Sequence, residues 1–414
     1  MEELLKQAKA CKESSYILAA CDTQKKNDTL EAIAKELEIN CSYILSANQK
    51  DIENAKANGK NESFIDRLML NKERMNDIIE GVRQVKTLDD PCGKVLNKWE
   101  NNGLSFSKVT TPIGVIGIIF EARPNVCVDA AALCLKSGNV AFLRGSKDTI
   151  KTNTALVLTM QKALDKAGLP VSCIDLIKNT SHEVATKFMK LNDYIDLLIP
   201  RGGANLIKNA VNNASVPIIE TGTGNCHIYI DENYNIEDAV KIIINAKCQR
   251  ISVCNACESL LLNKKIYKEF LPVIVKSLKE YNVKIHACEK CLEICPDLIP
   301  AIEEDWGKEY LDYEISIKVT DDVNSAIKHI NKYNTMHSDV IISNIPENIE
   351  KFLNEVDSAC VYANASSRFS DGFQFGFGAE IGISTQKIHA RGPMGLEALT
   401  SYKYKIIGNG NIRE

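Results

Sequence analysis

The 414-residue sequence lacks any long apolar run. Its longest apolar stretch, 112–120, falls far short of the roughly 20 residues that a membrane-spanning helix needs. The opening segment MEELLKQAKA is charged and has no apolar core of the kind found in signal peptides. The sequence also lacks a basic excess, since 50 Lys and Arg residues oppose 54 Asp and Glu residues and leave a net charge of −4. We therefore expect neither a membrane nor a nucleic acid as a partner.

Cysteine is frequent, but its 15 residues are an odd number and are scattered along the chain. Without a secretory signal, this pattern favours reduced thiols in the cytoplasm over a disulfide framework. Cys254 and Cys257 form one C-x-x-C motif, and Cys288, Cys291 and Cys295 form a longer one. Two such pairs can indicate a metal site, but the helix and strand predicted between them would hold the pairs apart. We therefore expect no metal, and the role of the second cluster stays open.

The chain length suggests two or three domains, and the hydrophobic pattern divides the sequence into helical, hairpin and α/β regions. Residues 1–93 carry apolar side chains at helical spacing. An Asn-Asn-Gly turn at 101–103, between two short alternating runs, predicts a β-hairpin. From Thr111 onward, and again from about Asp231, strands alternate with helices, which predicts parallel, doubly wound sheets. The tail SYKYKIIG predicts an edge strand. Two of the predicted strands are 170–177 and 216–222.

Cys254 is the leading candidate for a catalytic group. It follows a predicted helix and precedes a predicted strand, so we expect it on a loop. Lys247 and Arg250 come shortly before it, and nearby cations lower the pKa of a thiol and raise the fraction of nucleophilic thiolate. A cysteine that only fills space in a core has the same local surroundings. The local sequence therefore leaves catalysis and packing both open.

Several turns between strands and helices carry amides, cations or glycines, which are groups that bind anions. Asn125 lies between a predicted strand and a helix, where its amide would either donate to an oxyanion or cap the helix. The turns at Arg144 and Gly202 also follow strands, and backbone amides there can approach a pyrophosphate. Neither turn has the G-x-G-x-x-G pattern, so a dinucleotide site and simple turns both remain open. His337 and Arg391 lie in other polar loops, where a structural His and a solvated Arg are the ordinary interpretations.

Seven motifs follow one another along nearly the whole chain: TPIGVIGIIFEARPN, FLRGS, IPRGG, IETGTGNCH, QRISVCNACE, AIKHINKYNTMHSDVI and GAEIGISTQKIHARGPMGLEALTSYKY. As an ordered set they resemble the γ-glutamyl phosphate reductase family of the aldehyde dehydrogenase superfamily. The resemblance implies an α/β fold, aldehyde dehydrogenase-like, with two doubly wound domains and a small β oligomerisation arm. The implied parts are an NADP-binding domain at 1–93 and 112–230, a catalytic domain at 231–398, and a hairpin and tail strand at 94–111 and 399–414.

The resemblance also implies a reaction, the NADPH-dependent reduction of L-glutamyl 5-phosphate to L-glutamate 5-semialdehyde and phosphate in proline biosynthesis. The alternative within the superfamily is an NAD(P)-dependent enzyme that oxidises a small semialdehyde. A structural or metal-binding protein without activity is a third interpretation, and the presence of Cys254 and Asn125 argues against it. We expect a cytoplasmic homodimer or tetramer that can receive its substrate from glutamate 5-kinase.

Matching the family's motifs gives each candidate residue a role. Cys254 matches the nucleophile and Asn125 the amide that stabilises an oxyanion. The residues matched to the NADPH site are Arg144, Ser146, Lys147, Arg201, Gly202, Gly203, Glu220 and Glu309. Glu220 stands where oxidising members keep a general base, which a reductase does not need. The candidates for holding the phosphate and the amino-acid group of the substrate are Arg123, His227, Arg250, His337 and Arg391.

Overall fold

The computed structural model describes residues 2–413. Helices fill the first part of the chain, and further helices connect the strands that follow. Within the described residues the α-helices are α1 (Glu2–Ala19), α2 (Thr23–Ile39), α3 (Cys41–Ala57), α4 (Glu62–Leu68), α5 (Lys72–Thr87), α6 (Asn125–Lys136), α7 (Ile150–Lys166), α8 (His182–Phe188), α9 (Ala204–Asn213), α10 (Ile236–Cys248), α11 (Tyr267–Glu280), α12 (Glu289–Leu292), α13 (Val323–Tyr333) and α14 (Pro346–Glu355).

Strands begin after the first helical region. In chain order they are β1 (Val95–Asn101), β2 (Leu104–Pro112), β3 (Val115–Phe120), β4 (Val140–Arg144), β5 (Ile174–Leu176), β6 (Leu197–Arg201), β7 (Cys226–Ile230), β8 (Cys257–Asn263), β9 (Lys284–Ala287), β10 (Ile299–Pro300), β11 (Glu314–Thr320), β12 (Ser338–Ile342), β13 (Cys360–Ala363), β14 (Gly382–Ser384), β15 (Gly392–Met394) and β16 (Thr400–Ile407).

The first compact unit comprises 2–220, 376–382 and 394–413 of the described chain. Its central sheet is parallel, with the strand order β5-β4-β3-β6. Every residue of β3 is buried, as expected for a strand inside a parallel sheet covered by helices. Helices α1, α6 and α7 contact these strands.

A small antiparallel sheet, β1-β2-β16, belongs to the same unit. Asn102 and Gly103 connect β1 to β2 with φ angles of +49° and +70°, the left-handed backbone that a tight hairpin turn needs and that Asn and Gly tolerate. Strand β16 pairs with β2 along its whole length. The predicted hairpin is confirmed, and the tail strand completes it as a three-stranded arm.

The second compact unit comprises 221–375 and 383–393. Its parallel sheet has the order β10-β9-β11-β8-β7-β12-β13. Strands β7, β8 and β12 are buried throughout, and the α11 side chains Phe270, Ile274 and Leu278 belong to the same apolar core. The predicted α/β architecture with two parallel sheets is therefore confirmed.

Two predicted strands are wrong in extent. Segment 216–222 forms no strand and pairs through two isolated bridges, one between Ile218 and Leu198 and one between Thr221 and Ser384, because Pro217 has no N–H with which to continue a ladder. Of segment 170–177 only Ile174–Leu176 is a strand, since the turn that follows Pro170 is a 3₁₀-helix. Each parallel sheet nevertheless keeps its predicted order of alternating strands and helices.

The division into units also differs from the predicted domain boundaries. The first unit ends at Glu220, so β7 belongs to the second unit instead of the NADP-binding domain predicted to run to 230. Segment 376–382, predicted within the catalytic domain, belongs to the first unit. Across residues 2–413 no helix is long and apolar enough to cross a membrane.

Candidate active site

The carboxyl ends of β3, β4 and β6 gather the cofactor candidates of the first unit, because parallel strands end at one edge of their sheet. The Glu121 N–H donates to the Arg201 carbonyl at 3.2 Å. Glu121 Oε2 accepts the Gly203 N–H at 2.9 Å. A Cβ at position 202 would lie 2.6 Å from that carboxylate, so this turn requires glycine for close approach. The residues placed at this edge are Arg123, Asn125, Arg144, Ser146, Lys147, Arg201, Gly202 and Gly203.

Arg144 ends β4 with a half-buried guanidinium. Its Nη2 donates to the Thr180 carbonyl at 2.9 Å, and burial lowers the pKa of the group. Its Nε is buried and has no hydrogen-bond acceptor among residues 2–413. A buried donor without a partner costs free energy, so an anionic ligand at this position would stabilise the unit. Ser146 is half-buried and Lys147 exposed on the same turn.

Asn125 begins α6 instead of capping it, since Pro124 is the N-cap residue. Its Nδ2 donates to Asp129 Oδ2 at 3.0 Å. Burial raises the pKa of Asp129 to about 6, while the hydrogen bond from Asn125 and the charge of Arg201 oppose this shift. The bond fixes the side chain of Asn125, and an amide nitrogen has a second N–H with which to donate. Asp129 is thus a positioning partner that the sequence did not reveal.

A buried ion pair frames the loop that carries Cys254. Lys247 Nζ, near the end of α10, lies 2.6 Å from Glu258 Oε2 at the start of β8, and both side chains are fully buried. Burial raises the pKa of Glu258 to about 7, and Lys247 opposes that shift. Lys247 was predicted to act on Cys254, but its ammonium group is bound to Glu258. The pair therefore fixes the distance between the helix and the strand that flank the loop.

The loop places half-buried Cys254 against the segment before β7. A Cβ at position 224 would lie 1.4 Å from the Cys254 carbonyl oxygen, so only glycine fits there. The Gly224 N–H donates to Glu309 Oε1 at 2.6 Å, and burial raises the pKa of Glu309. Cys226 Sγ donates to the Cys254 carbonyl at 3.2 Å. The structure thus brings Glu309 and the backbone of Cys254 to the two sides of Gly224.

Arg368 also lies at this loop, and sequence reasoning missed it. Its Nε donates to Gln249 Oε1 at 3.0 Å and its Nη1 to Asn255 Oδ1, so one guanidinium joins both ends of the loop. Burial lowers the pKa of Arg368, the charge of Arg250 lowers it further, and Asp371 and Cys254 oppose the shift. Two guanidinium groups therefore act electrostatically at the loop that holds Cys254. An arginine in a Ser-rich turn gave no local indication of this role.

His227 and His337 are predicted substrate ligands whose positions argue against that role. Both side chains are fully buried. The ring of His227 contacts the Asn225 carbonyl through Nδ1 at 3.1 Å, and that of His337 contacts Ser338 Oγ at 2.8 Å. Burial lowers the pKa of His337 to about 4, which keeps the ring neutral and unsuited to holding an anion. The sequence could not show that His227, on β7, and His337, directly before β12, are both buried.

The remaining candidates are Arg391, Arg123 and Glu220. Arg391 donates from Nη2 to Asp357 Oδ1 at 2.8 Å, so its charge is already paired. Arg123 is exposed, and Glu220 is half-buried at the end of the first unit. Among residues 2–413 no group of three or more His, Cys, Asp or Glu side chains has an arrangement that would hold a metal ion.

Comparison with known proteins gives the family of the chain. The sequence model of the aldehyde dehydrogenase family matches residues 2–296. A γ-glutamyl phosphate reductase of Clostridium perfringens strain SM101 is 54% identical over 99% of both chains, and one of Clostridium botulinum strain Eklund 17B is 52% identical over 100% of both. The crystal structure of the γ-glutamyl phosphate reductase from Thermotoga maritima is 48% identical, with a TM-score of 0.98 and complete coverage of both chains. The resemblance seen in the motifs is confirmed, and the chain belongs to the γ-glutamyl phosphate reductase family of the aldehyde dehydrogenases.

Proposed function

We propose that this protein reduces L-glutamyl 5-phosphate to L-glutamate 5-semialdehyde and phosphate, a step of proline biosynthesis. The observation that carries the proposal is the identity of 54% over almost the whole chain to a relative named for that activity. The glycine-dependent contact between the Cys254 loop and the Glu309-bound turn supports it, since the nucleophile of such an enzyme must lie on a fixed loop. The reducing cytoplasm is the compartment that would keep this thiol reduced.

Cys254 is the proposed nucleophile. Its thiolate attacks the acyl carbon, phosphate leaves, and a thioester to Cys254 remains. A nicotinamide cofactor, when bound, would supply the hydride for reduction of the thioester on Cys254. The resulting hemithioacetal collapses to the aldehyde and returns Cys254 to its thiolate. The ion pair of Lys247 with Glu258 and the bonds of Arg368 hold the loop in place for this sequence.

The amide of Asn125 is the proposed donor to the oxyanion that forms when the acyl carbon becomes tetrahedral. Its bond to Asp129 holds the side chain in one orientation and leaves the second N–H for the substrate. Donors fixed before the reaction stabilise a developing charge without reorganisation. Asp129 therefore acts through Asn125 as a positioning residue.

Arg250 and Arg368 are the proposed partners of the leaving phosphate. A phosphate carries more than one negative charge, and paired guanidinium groups bind such anions with several hydrogen bonds. Arg250 precedes Cys254 on the loop, and Arg368 bonds the residue that follows it. Neither His227 nor His337 is retained in this role, because both side chains are fully buried.

NADPH is the proposed cofactor, and the residues at the carboxyl edge of the first sheet suit it. The half-buried Arg144, whose Nε has no acceptor within residues 2–413, fits a 2′-phosphate together with Ser146 and Lys147. The glycine turn that follows Arg201 allows a pyrophosphate to approach backbone amides. Glu309, with one oxygen bound to Gly224, would use its other oxygen for a ribose hydroxyl, and Glu220 would complete the cofactor site.

We also propose a homodimer or a dimer-based tetramer, able to take its substrate from a glutamate 5-kinase. The arm β1-β2-β16 exposes a row of aromatic and aliphatic side chains, with Tyr404 51% and Ile406 54% exposed. Edge strands with apolar faces are commonly covered by a second copy. Light scattering at assay concentration would show a mass of two or four chains, and a monomer would contradict the assignment.

The reverse reaction tests the function most cleanly. Purified protein is incubated with glutamate 5-semialdehyde and NADP⁺, with and without inorganic phosphate. The proposal requires that NADP⁺ reduction depends on phosphate, because phosphate must release the acyl group from Cys254 as acyl phosphate. Phosphate-independent oxidation that yields free glutamate would instead identify an aldehyde-oxidising enzyme. Initial rates measured in parallel with NAD⁺ and NADP⁺ decide which cofactor the protein prefers. Loss of the preference for NADP⁺ in Arg144→Ala would support a 2′-phosphate site at Arg144.

A further inference from the structure

Cys288, Cys291 and Cys295 form a thiol cluster that the proposed reaction does not use. It lies at the turn from β9 into α12, in the second unit. The sulfur atoms of Cys288 and Cys291 share a hydrogen bond at 3.7 Å. The Cys291 N–H also donates to the Cys288 carbonyl at 2.9 Å, so backbone and side chains both hold the two residues together. A disulfide needs sulfur atoms about 2.05 Å apart, so the two side chains would have to move closer together to form one.

The two sulfurs differ in access and in charge. Cys288 is half-buried, whereas Cys291 is fully buried in the core of the second unit. The hydrogen bond with Cys291 lowers the pKa of Cys288 to about 6, helped by the Val319 N–H, whose nitrogen lies 3.4 Å from the sulfur. The same bond, together with burial, raises the pKa of Cys291. An outer thiolate thus lies in front of an inner thiol, as in dithiols that exchange disulfides.

The surroundings favour a charged sulfur at Cys288. The Lys318 ammonium on β11 interacts electrostatically with it and lies 4.7 Å from the centroid of the Trp306 ring. Cys295 interacts electrostatically with Cys291 and is itself half-buried. Cys295 is therefore the alternative partner that an experiment must separate from Cys291.

We propose that Cys288 and Cys291 are a redox-active dithiol that exchanges with low-molecular-weight disulfides. The Cys288 thiolate attacks one sulfur of the small disulfide, forms a mixed disulfide and releases one thiolate. Cys291 gives up its proton and attacks the Cys288 sulfur, which closes the Cys288–Cys291 bond and releases the second small thiolate. Two protein thiols are oxidised and one small disulfide is reduced to two thiols. This site is independent of the proposed function, because none of its residues belongs to the Cys254 loop.

Peptide mapping with oxidised glutathione tests the proposal. Trypsin cleaves after Lys284, Lys290 and Lys308, so it separates Cys288 from Cys291 and leaves Cys291 and Cys295 on one peptide. After oxidation at pH 7, acid quenching and alkylation, the wild type should give the peptides 285–290 and 291–308 joined by a disulfide. Cys295→Ser should give the same joined pair, and Cys291→Ser should retain glutathione on Cys288 at a level about tenfold or more above the wild type.

Each contrary outcome overturns the assignment. Loss of the joined pair in Cys295→Ser would make Cys295 the partner. Equal retention of glutathione on Cys288 in the wild type and in Cys291→Ser would show that the inner thiol does not attack. Modification of other cysteines while Cys288 stays reduced would show that Cys288 is no entry point. Circular dichroism checks that each variant is folded. The peptide maps do not depend on catalytic activity.

Discussion

The second unit contains two C-x-x-C motifs of equal spacing, each with a half-buried first cysteine and a fully buried second one, which differ in the elements around them. Cys254 lies on an irregular loop, and Cys257 is the first residue of β8, where burial raises its pKa to about 12. Cys288 and Cys291 lie instead on one turn at the start of a helix, with their sulfur atoms 3.7 Å apart. Cys257 and Cys291 both lie in the same apolar core, and in the second motif the helical turn also brings the two sulfur atoms together.

The contrast shows that the elements around a motif decide its chemistry. The Cys254 loop depends on the Lys247–Glu258 pair that flanks it and on Arg368 from a distant part of the chain. The Cys288–Cys291 turn is held by its own backbone hydrogen bonds and by the neighbouring strand β11. We therefore expect the first motif to be sensitive to remote substitutions and the second to be largely self-contained.

The largest expected effect is a difference in turnover between variants of the two motifs. Cys254→Ser should lower turnover by at least about 10³-fold, because a hydroxyl is a far weaker nucleophile than a thiolate at neutral pH. Cys288→Ser, the matched control, should stay within about twofold of the wild type. Initial rates with the semialdehyde, NADP⁺ and phosphate provide the measurement. A similar loss of turnover in both variants would show that activity does not distinguish the two motifs.

The next largest expected effect is the loss of turnover when Asn125, the proposed oxyanion donor, is removed. Asn125→Ala should lower turnover by about 10²–10³-fold with the fold intact, the usual cost of losing one oxyanion donor. Asp129→Asn should give a smaller loss, because it disturbs only the orientation of the amide. Full activity in Asn125→Ala would mean that the acyl oxygen finds its donor elsewhere.

The buried ion pair makes a prediction about stability. Lys247→Met leaves Glu258 without its cation in the core, where the carboxyl must either stay charged or take up a proton, so the free energy of unfolding should fall by about 3–5 kcal/mol. The double variant Lys247→Met, Glu258→Met should regain most of this loss, since no charge stays buried. Urea unfolding of the three proteins measures both values. A double variant as unstable as the single one would show that packing and not charge anchors the loop.

Substitution of Arg368 should weaken the binding of anions at the loop more than it changes the reactivity of the Cys254 thiol. In Arg368→Gln the KM for phosphate should rise by about tenfold, in line with the loss of one charge-assisted contact. Alkylation of Cys254 by anionic iodoacetate should slow more than alkylation by neutral iodoacetamide. Asn255→Ala is the control, since it loosens the loop without removing a cation. Equal slowing by both reagents in Arg368→Gln would indicate a purely structural role.

The smallest expected effect is the pH dependence of the unfolding free energy that Cys288, in the second motif, contributes. The pKa of Cys288 is lowered to about 6 from an ordinary value of 9.0, so its charged form stabilises the fold. That contribution is complete above about pH 9 and is lost as the pH falls through 6. The difference in unfolding free energy between wild type and Cys288→Ala should therefore shrink between pH 8.5 and 5.5 in reducing buffer. The titratable groups that interact electrostatically within this cluster are Lys318, Cys291 and Cys295. Lys318→Met removes the cation near Cys288, so it should reduce the change in this free-energy difference with pH.

Local patterns predicted the fold well, and they failed where distant parts of the chain decide the outcome. The Asn-Gly hairpin was predictable because two residues determine its backbone. The strand at 216–222 was wrong because its pattern is apolar although Pro217 interrupts the ladder. His227 and His337 look like ordinary loop or strand residues in sequence, and only the folded sheet buries them. Arg368 lies 114 positions after Cys254, so no local motif connects the two.

In the proposed reaction the acyl group of the substrate is transferred to the Cys254 sulfur. The most direct test of this transfer is to mix the enzyme with enzymatically generated L-glutamyl 5-phosphate in the absence of reduced cofactor, quench in acid and map the tryptic peptide 251–264 by tandem mass spectrometry. We expect a glutamyl thioester on Cys254, absent in Cys254→Ser and lost when NADPH is added before the quench. A thioester on Cys257 or another cysteine, or undiminished turnover in Cys254→Ser, would contradict the account.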